Sequence, residues 1–199
     1  MMFLLLIISL AAGLFCGALA GETIALQISE SSEWVLYILM LTVGISVGRN
    51  RTVLDKIRKT GCKMLVIPVG IIAGSVAGGI LCAILLQMAW NDGASIASGL
   101  GWYSLSGVLL SELAGPEVGV IAFLSNFLRE FLTFLLIPLV TSRLNAYCGI
   151  ALGAATSEDT TLPVLIKYVS EEVIVFSVVN GVLCSALVPV LIRIFQIFS

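Results

Sequence analysis

The sequence predicts an all-α membrane protein: a polytopic bundle of transmembrane helices whose C-terminal half holds two broken or re-entrant segments in an internal repeat. Three observations carry this expectation. Of 199 residues, 59% are hydrophobic and 11% are charged, against about 25% charged in soluble domains, so a soluble globule is excluded. Apolar runs recur at lengths near the roughly 20 residues that a helix needs to cross the hydrocarbon core. The last two runs each follow a glycine- and hydroxyl-rich stretch that a lipid-facing helix does not accept.

At this length six or seven crossings leave no room for an extramembrane catalytic domain, and residues 1–199 read as a single membrane domain. The formal net charge of −2, without a basic arm, argues against nucleic acid as a partner. Cys16, Cys62, Cys82, Cys148 and Cys184 are scattered, mostly inside apolar runs and without metal-ligand spacing, so they read as small packing residues. Histidine is absent, which removes the usual metal ligand and physiological proton shuttle. No metal, cofactor or enzymatic activity is expected, and proton chemistry must rest on carboxylates.

Residues 2–20 form an uncharged apolar run. Its end, Ala18-Leu19-Ala20, resembles a signal-peptidase site, but the preceding region lacks Lys and Arg and the run is long for a signal sequence, so it reads as a retained helix. Further runs at 34–48 and 64–90 complete three transmembrane helices within 1–90. The loop between the second and third holds Arg49, Arg51, Lys56, Arg58, Lys59 and Lys63, which places it in the cytoplasm and the N-terminus with it. Gly13/Gly17, Gly44/Gly48 and Gly70/Gly74/Gly78 recur at helical spacing and read as helix-packing faces. Trp34 and Trp90 read as interfacial anchors.

Residues 94–140 form a broken segment plus helix, and 146–198 form another. The first break lies in 97–112, where Gly99, Gly101 and Gly107 bracket Trp102, Tyr103, Ser104 and Ser106; the second lies in 151–163, ALGAATSEDTTLP. Adding 54 carries Gly99 onto Gly153, Glu117 onto Glu171 and Asn126 onto Asn180. Interrupted segments at matching places in two halves are the sequence pointer to a transporter binding site. Each segment either crosses the membrane or re-enters from one side; re-entry, the preferred geometry, puts Arg143 in the cytoplasm and makes the halves inverted repeats.

In the long run 117–140, Asn126, Arg129, Glu130 and Thr133 share one helical stripe. A charge at the centre of a span costs at least about 2.5–3.5 kcal/mol on insertion scales and marks a functional site; the alternative is that Arg129 and Glu130 neutralise neighbouring helices. Glu158 and Asp159 lie within Thr156-Ser157-Glu158-Asp159-Thr160-Thr161. Helices on either side are too short to span, so this stretch reads as a break at membrane depth rather than an exposed loop. Its hydroxyls and freed backbone groups suit a polar solute or ion, and adjacent carboxylates in low dielectric resist ionising together. Glu112, Glu117, Glu171 and Glu172 sit at segment ends and read as solvated caps. Trp102 and Tyr103 present aromatic faces to a ligand cation. The candidate substrate-binding or proton-coupling residues are Glu130, Asp159, Glu158, Arg129, Asn126, Trp102, Tyr103, Ser104, Ser106, Thr156, Ser157 and Asn180.

The strings VGISVGRNR (43–51), GLGWYSLSG (99–107), GVIAFLSNFLRE (119–130) and GAATSEDTTLPVL (153–165), in this order, resemble the core of the LysO-type lysine exporter family of prokaryotes. The resemblance implies a multi-pass protein of the cytoplasmic membrane that exports L-lysine and related cationic amino acids, with protons as the coupling ion. It carries a substrate or proton role to Glu130, which matches the family's Arg-Glu pair, and to Asp159, at its acidic position. Ala154-Ala155 stand where the family has a single alanine. Many members have further N-terminal helices and another intramembrane acidic residue, so a homodimer or a small membrane partner subunit is expected. The other classes are a non-transporting subunit of a two-component complex and a passive channel.

Overall fold

The computed structural model describes residues 65–198 together with isolated positions at 8, 12, 15, 16, 38, 41 and 45. The first two predicted transmembrane helices therefore lie outside the described residues. The chain divides into residues 1–41 and 42–199, and every element below belongs to the second unit. The described residues form helices: α1 (Val66–Leu86), α2 (Trp90–Ala97), α3 (Tyr103–Leu113), α4 (Pro116–Arg143), α5 (Ala146–Gly153), a 3-10 turn (Ala154–Glu158), α6 (Leu162–Leu165) and α7 (Glu171–Gln196). Three of them are long and apolar enough to cross a membrane: α1, α4 and most of α7. A multi-pass membrane protein is the result, as the composition requires.

The helix ends follow local chemistry. The third apolar run was expected to reach residue 90, yet α1 stops at Leu86 because Gln87 turns left-handed (φ 58°) and its N–H closes onto Ala83 and Ile84. That closure is the usual device for satisfying the last carbonyls of a helix. α4 starts one residue earlier than its apolar run suggests, at Pro116, whose missing N–H costs nothing in a first turn. Asn145 Oδ1 accepts from Cys148 N at 2.9 Å and caps α5. This cap fixes where the chain re-enters helix after α4.

The breaks are narrower than the sequence suggests. Helix persists through most of 97–112, and only residues 98–102 separate α2 from α3. Leu100 (φ 50°) and Gly101 (φ 96°) make the left-handed corner there, and Ala154 (φ 49°) makes the corner after α5. A left-handed residue other than glycine costs about 1–3 kcal/mol and persists only where surrounding contacts impose it.

Packing runs opposite to that of a soluble protein. The polar corners 98–101 and 153–157 are buried throughout, whereas Leu81, Ile84, Leu85, Leu124, Leu128 and Leu135 are exposed. α3 lies along the first half of α4: Gly107 and Ser111 meet Gly119, and the Tyr103 ring meets Phe123 and Phe127 edge-on at 5.4 and 5.8 Å. α5 lies along the second half of α4, where Gly149 meets Thr141 and Thr133 donates to Leu152 O at 3.1 Å. At the other end of α7, Gln196 donates to Asp92 and Ser95 of α2, each at 3.0 Å, and Trp90 approaches Phe198.

Gly79 makes the close approach of α1 to α2, abutting the backbone of Gly93 and the Ala97 side chain, whereas among the described residues nothing lies within 4 Å of where a side chain would start at Gly70, Gly74 and Gly78. Overpacking such a contact costs about 1–3 kcal/mol, or roughly 2–12 °C in a chain of this size. Gly79→Ala should lower the thermal midpoint of the detergent-purified protein by that amount, as circular dichroism melting would read. A Gly79→Ala protein as stable as the parent would refute the packing described.

Candidate functional site

The site is built where the two corners meet. Ala155 N donates to Leu100 O at 3.1 Å, joining the second break to the first. Asn126, near the middle of α4, binds the first: its Oδ1 accepts from Gly101 N at 2.8 Å, and its Nδ2 reaches Ile96 O (2.9 Å), Ala122 O (2.9 Å) and Ser106 Oγ (3.3 Å). This approach requires a glycine at 99, since a Cβ there would lie 2.5 Å from Asn126 Nδ2. Asn180, near the middle of α7, binds the second: its Nδ2 reaches Ala154 O (3.0 Å) and Ser157 Oγ (3.1 Å). Ser157 and Ser177 exchange hydroxyl-to-carbonyl bonds at 2.9 and 2.7 Å, which ties the same break to α7 again.

Most hydroxyls of the second break are spent on backbone. Thr156 Oγ1 donates to Gly153 O, Ser157 Oγ also reaches Ala154 O, and Thr161 Oγ1 donates to Thr156 O, at 2.9, 2.7 and 2.9 Å. They supply the partners that an interrupted helix loses, because a freed backbone group away from water costs several kcal/mol. Glu158 is half-buried, accepts from Ser185 Oγ at 3.0 Å and rests on Gly181. Asp159 is exposed within the described residues and accepts from Thr160 N.

Among the described residues three buried side-chain oxygens lack a hydrogen-bond partner: Gln196 Oε1, at the far end of α7, and two near the corners. Of these two, one is Glu130 Oε2, on a side chain only 3% exposed; the other is Thr160 Oγ1. They come from different elements that lie close together: the Thr160 side chain and the Asp159 carboxylate are both near enough to bear on Glu130, and the two carboxylates both bear on Tyr103. A buried carboxylate lacking its hydrogen bonds is expensive. The arrangement is poised to accept a donor, either a proton or an ammonium group.

Glu130 belongs to the buried stripe Gly119, Ala122, Asn126, Glu130, Thr133 and Ile137 of α4. Arg129 lies at the margin of that stripe. Its guanidinium donates to Ser75 Oγ of α1 at 3.1 Å and lines a cleft of about 420 Å³ with Ser125, Thr133, Leu136, Ala151 and Leu152.

Glu130, Asp159 and Tyr103 therefore lie within electrostatic reach of one another, and Glu158 lies against α7. Asn126, Asn180, Ser106, Thr156 and Ser157 have polar atoms engaged by the protein itself. Ser104 is exposed and Trp102 half-buried at the start of α3. The sequence pattern did not single out Thr160, Ser177 or Ser185. Thr160 lies inside the hydroxyl-rich string, but only the tertiary bonds show that it differs from its neighbours in being uncommitted.

Comparison with known proteins places this geometry in a family. Residues 7–196 match the family model described as lysine exporter LysO. The chain is 35% identical over 182 residues to the lysine exporter LysO of Escherichia coli strain K12, covering 92% of the chain and 60% of that relative's length. It is also 35% identical over 170 residues to a putative lysine exporter of Haemophilus influenzae Rd, covering 84% of the chain and 85% of the relative. No solved structure matches significantly.

The hydroxyls differ in what they hold, and so in what their loss costs. Ser157→Ala removes bonds to two elements and should destabilise the protein by about 1–3 kcal/mol, whereas Ser104→Ala should stay within about 0.5 kcal/mol of the parent. Thermal melts of the two purified variants would separate them; a Ser157→Ala protein as stable as Ser104→Ala would contradict the network.

Proposed function

The chain belongs to the lysine exporter LysO family, and from that premise we propose that it moves L-lysine and related cationic amino acids out of the cytoplasm in exchange for protons. The observation that carries the proposal is a pair of buried oxygens, Glu130 Oε2 and Thr160 Oγ1, which lie close together near Asp159 and lack a hydrogen-bond partner among the described residues. An ammonium group has three N–H donors and no acceptor. It can donate to both oxygens, and its charge offsets that of the carboxylate, so binding counters the desolvation penalty of a buried carboxylate.

Exchange follows from competition for the same atoms. Ionised Glu130 and Asp159 hold the cationic side chain; protonation of Glu130 removes the charge and one acceptor and so releases it. The Tyr103 ring, fixed by its edge contacts to Phe123 and Phe127, closes the apolar side of the site along the substrate's methylenes. Arg129, facing the cleft between α4 and α5, is the candidate partner for the α-carboxylate.

The two interrupted segments are re-entrant in this proposal, and the contacts along the long helices support it. α5 meets both the end of α4, at Thr141, and the early part of α7, through an edge contact of Tyr147 with Phe176 at 5.7 Å. The end of α4 and the start of α7 thus share one side, and the two helices run antiparallel. α2 begins beside the end of α7 and α3 finishes beside the start of α4, so the first segment enters and leaves on the opposite side. α5 and the chain leading into α7 enter and leave on the first. Two hairpins from opposite faces then meet at the Leu100–Ala155 bond, which gives inverted halves of the kind that alternate access uses.

Glu130→Gln keeps the size of the side chain and removes its charge. In proteoliposomes with an imposed pH gradient, the parent chain should accumulate labelled lysine saturably and Glu130→Gln should retain less than about a tenth of that rate, a loss of at least 1.4 kcal/mol of transition-state stabilisation. Gradient-driven lysine exchange at the parental rate in a folded Glu130→Gln protein would refute the assignment.

A further inference from the structure

We infer that Asn126 and Asn180 are equivalent positioning residues, each latching one re-entrant segment to the long helix that follows it, so that release of each opens the site to one face of the membrane only. The inference rests on the transport proposal above for its meaning, and on separate observations for its geometry.

The correspondence goes beyond two asparagines 54 residues apart. The same offset carries Leu100 onto Ala154, and these two residues adopt the same uncommon backbone conformation, with φ of 50° and 49°. It carries the glycine preceding each corner, Gly99, onto Gly153. Each asparagine sits about halfway along its helix and donates through Nδ2 to a carbonyl of the interrupted segment, Ile96 O in one half and Ala154 O in the other. Each also contacts a serine hydroxyl of that segment, Ser106 or Ser157.

What these side chains bind also decides what they do not bind. Both amide atoms of Asn126 are engaged within the protein, and Asn180 Nδ2 is shared between two acceptors while its Oδ1 lies 3.8 Å from Cys184 Sγ. The sequence pattern nominated them as substrate ligands; their geometry makes them the parts that hold the corners in place. The corners touch each other through the Ala155 N to Leu100 O bond. Losing one asparagine therefore loosens one segment while the other keeps its own anchor, the second segment being held in addition by the Ser157–Ser177 exchange, and the path opens more readily at one end.

The direction can be stated. The basic loop preceding α1 places its start in the cytoplasm, so the first segment faces outward and the second faces the cytoplasm. Cys184 is a built-in reporter: it is fully buried one turn beyond Asn180, and the charges of Arg129 and Glu158 both reach it. In the full chain with Cys16, Cys62, Cys82 and Cys148 replaced by serine, a membrane-impermeant maleimide would be applied to right-side-out and inverted vesicles. Asn126→Ala should speed Cys184 labelling about tenfold from the outer face alone, and Asn180→Ala about tenfold from the cytoplasmic face alone. A tenfold rise is about 1.4 kcal/mol in the population of the opened segment.

Labelling from the same face in both variants, from both faces equally, or at the parental rate would overturn the inference. Should either alanine variant fail to insert, Ser106→Ala and Ser157→Ala remove one partner from each latch and should show the same opposed sidedness with a smaller rise. Protection of Cys184 by L-lysine is a separate reading. Opposed sidedness without such protection upholds the latches and counts against lysine as the substrate.

Discussion

A helix interrupted inside a packed bundle leaves backbone groups that its own turns cannot satisfy, and the described structure is organised around meeting that demand. Asn126 answers it for the first break and Asn180, with the Ser157 and Ser177 exchange, for the second. Once those bonds are made, the corners can be buried completely while the long helices turn leucine and isoleucine outward. The gradient of burial follows: 50% of the apolar window of α7 is buried inside the protein and 11% of that of α1. The helix that holds a break must be central, and α1, which holds none, lies further out among the described residues.

Hydropathy made the three long helices legible, because nothing competes with twenty consecutive apolar residues for a place in the membrane. Their ends were less legible. Gln87 closes α1 in a conformation usually taken by glycine, a choice dictated by the chain's return into α2 rather than by residue type. Gly79 makes the close approach to α2; spacing alone does not say which glycine meets a given neighbour. The breaks were visible as polar clusters, while their narrowness was not, since glycine and serine at 104–107 tolerate helix when Asn126 and α4 support it.

The site shows the same division. Residue type marked Glu130, because a carboxylate at the middle of a span has few roles, and it marked the hydroxyl-rich string as a whole. It could not rank the hydroxyls, which are chemically alike and separated only by partners far away in sequence. Thr156, Ser157 and Thr161 close the turn, and Thr160 is left near Glu130. Real proteins break local rules of polar satisfaction where function needs it, so the orphaned atoms in an otherwise saturated network carry more information than its most polar stretch.

On the proposal of two inverted halves, their correspondence extends to the frame and not to the chemistry, for a physical reason. Adding 54 relates corner to corner and asparagine to asparagine, yet it relates Glu130 to Cys184, Asp159 to Leu105 and Glu158 to Ser104. It relates the uncommitted Thr160 to Ser106, whose hydroxyl contacts Asn126. A second set of carboxylates at the mirrored positions would place more negative charge within the same low-dielectric core, and like charges there raise the cost of ionising each one. Two equivalent acidic sites would hold their protons and bind a cation weakly. For the proposed exchange, a symmetric scaffold with the charge on one side would supply two ways of opening onto a single site, one for each face of the membrane.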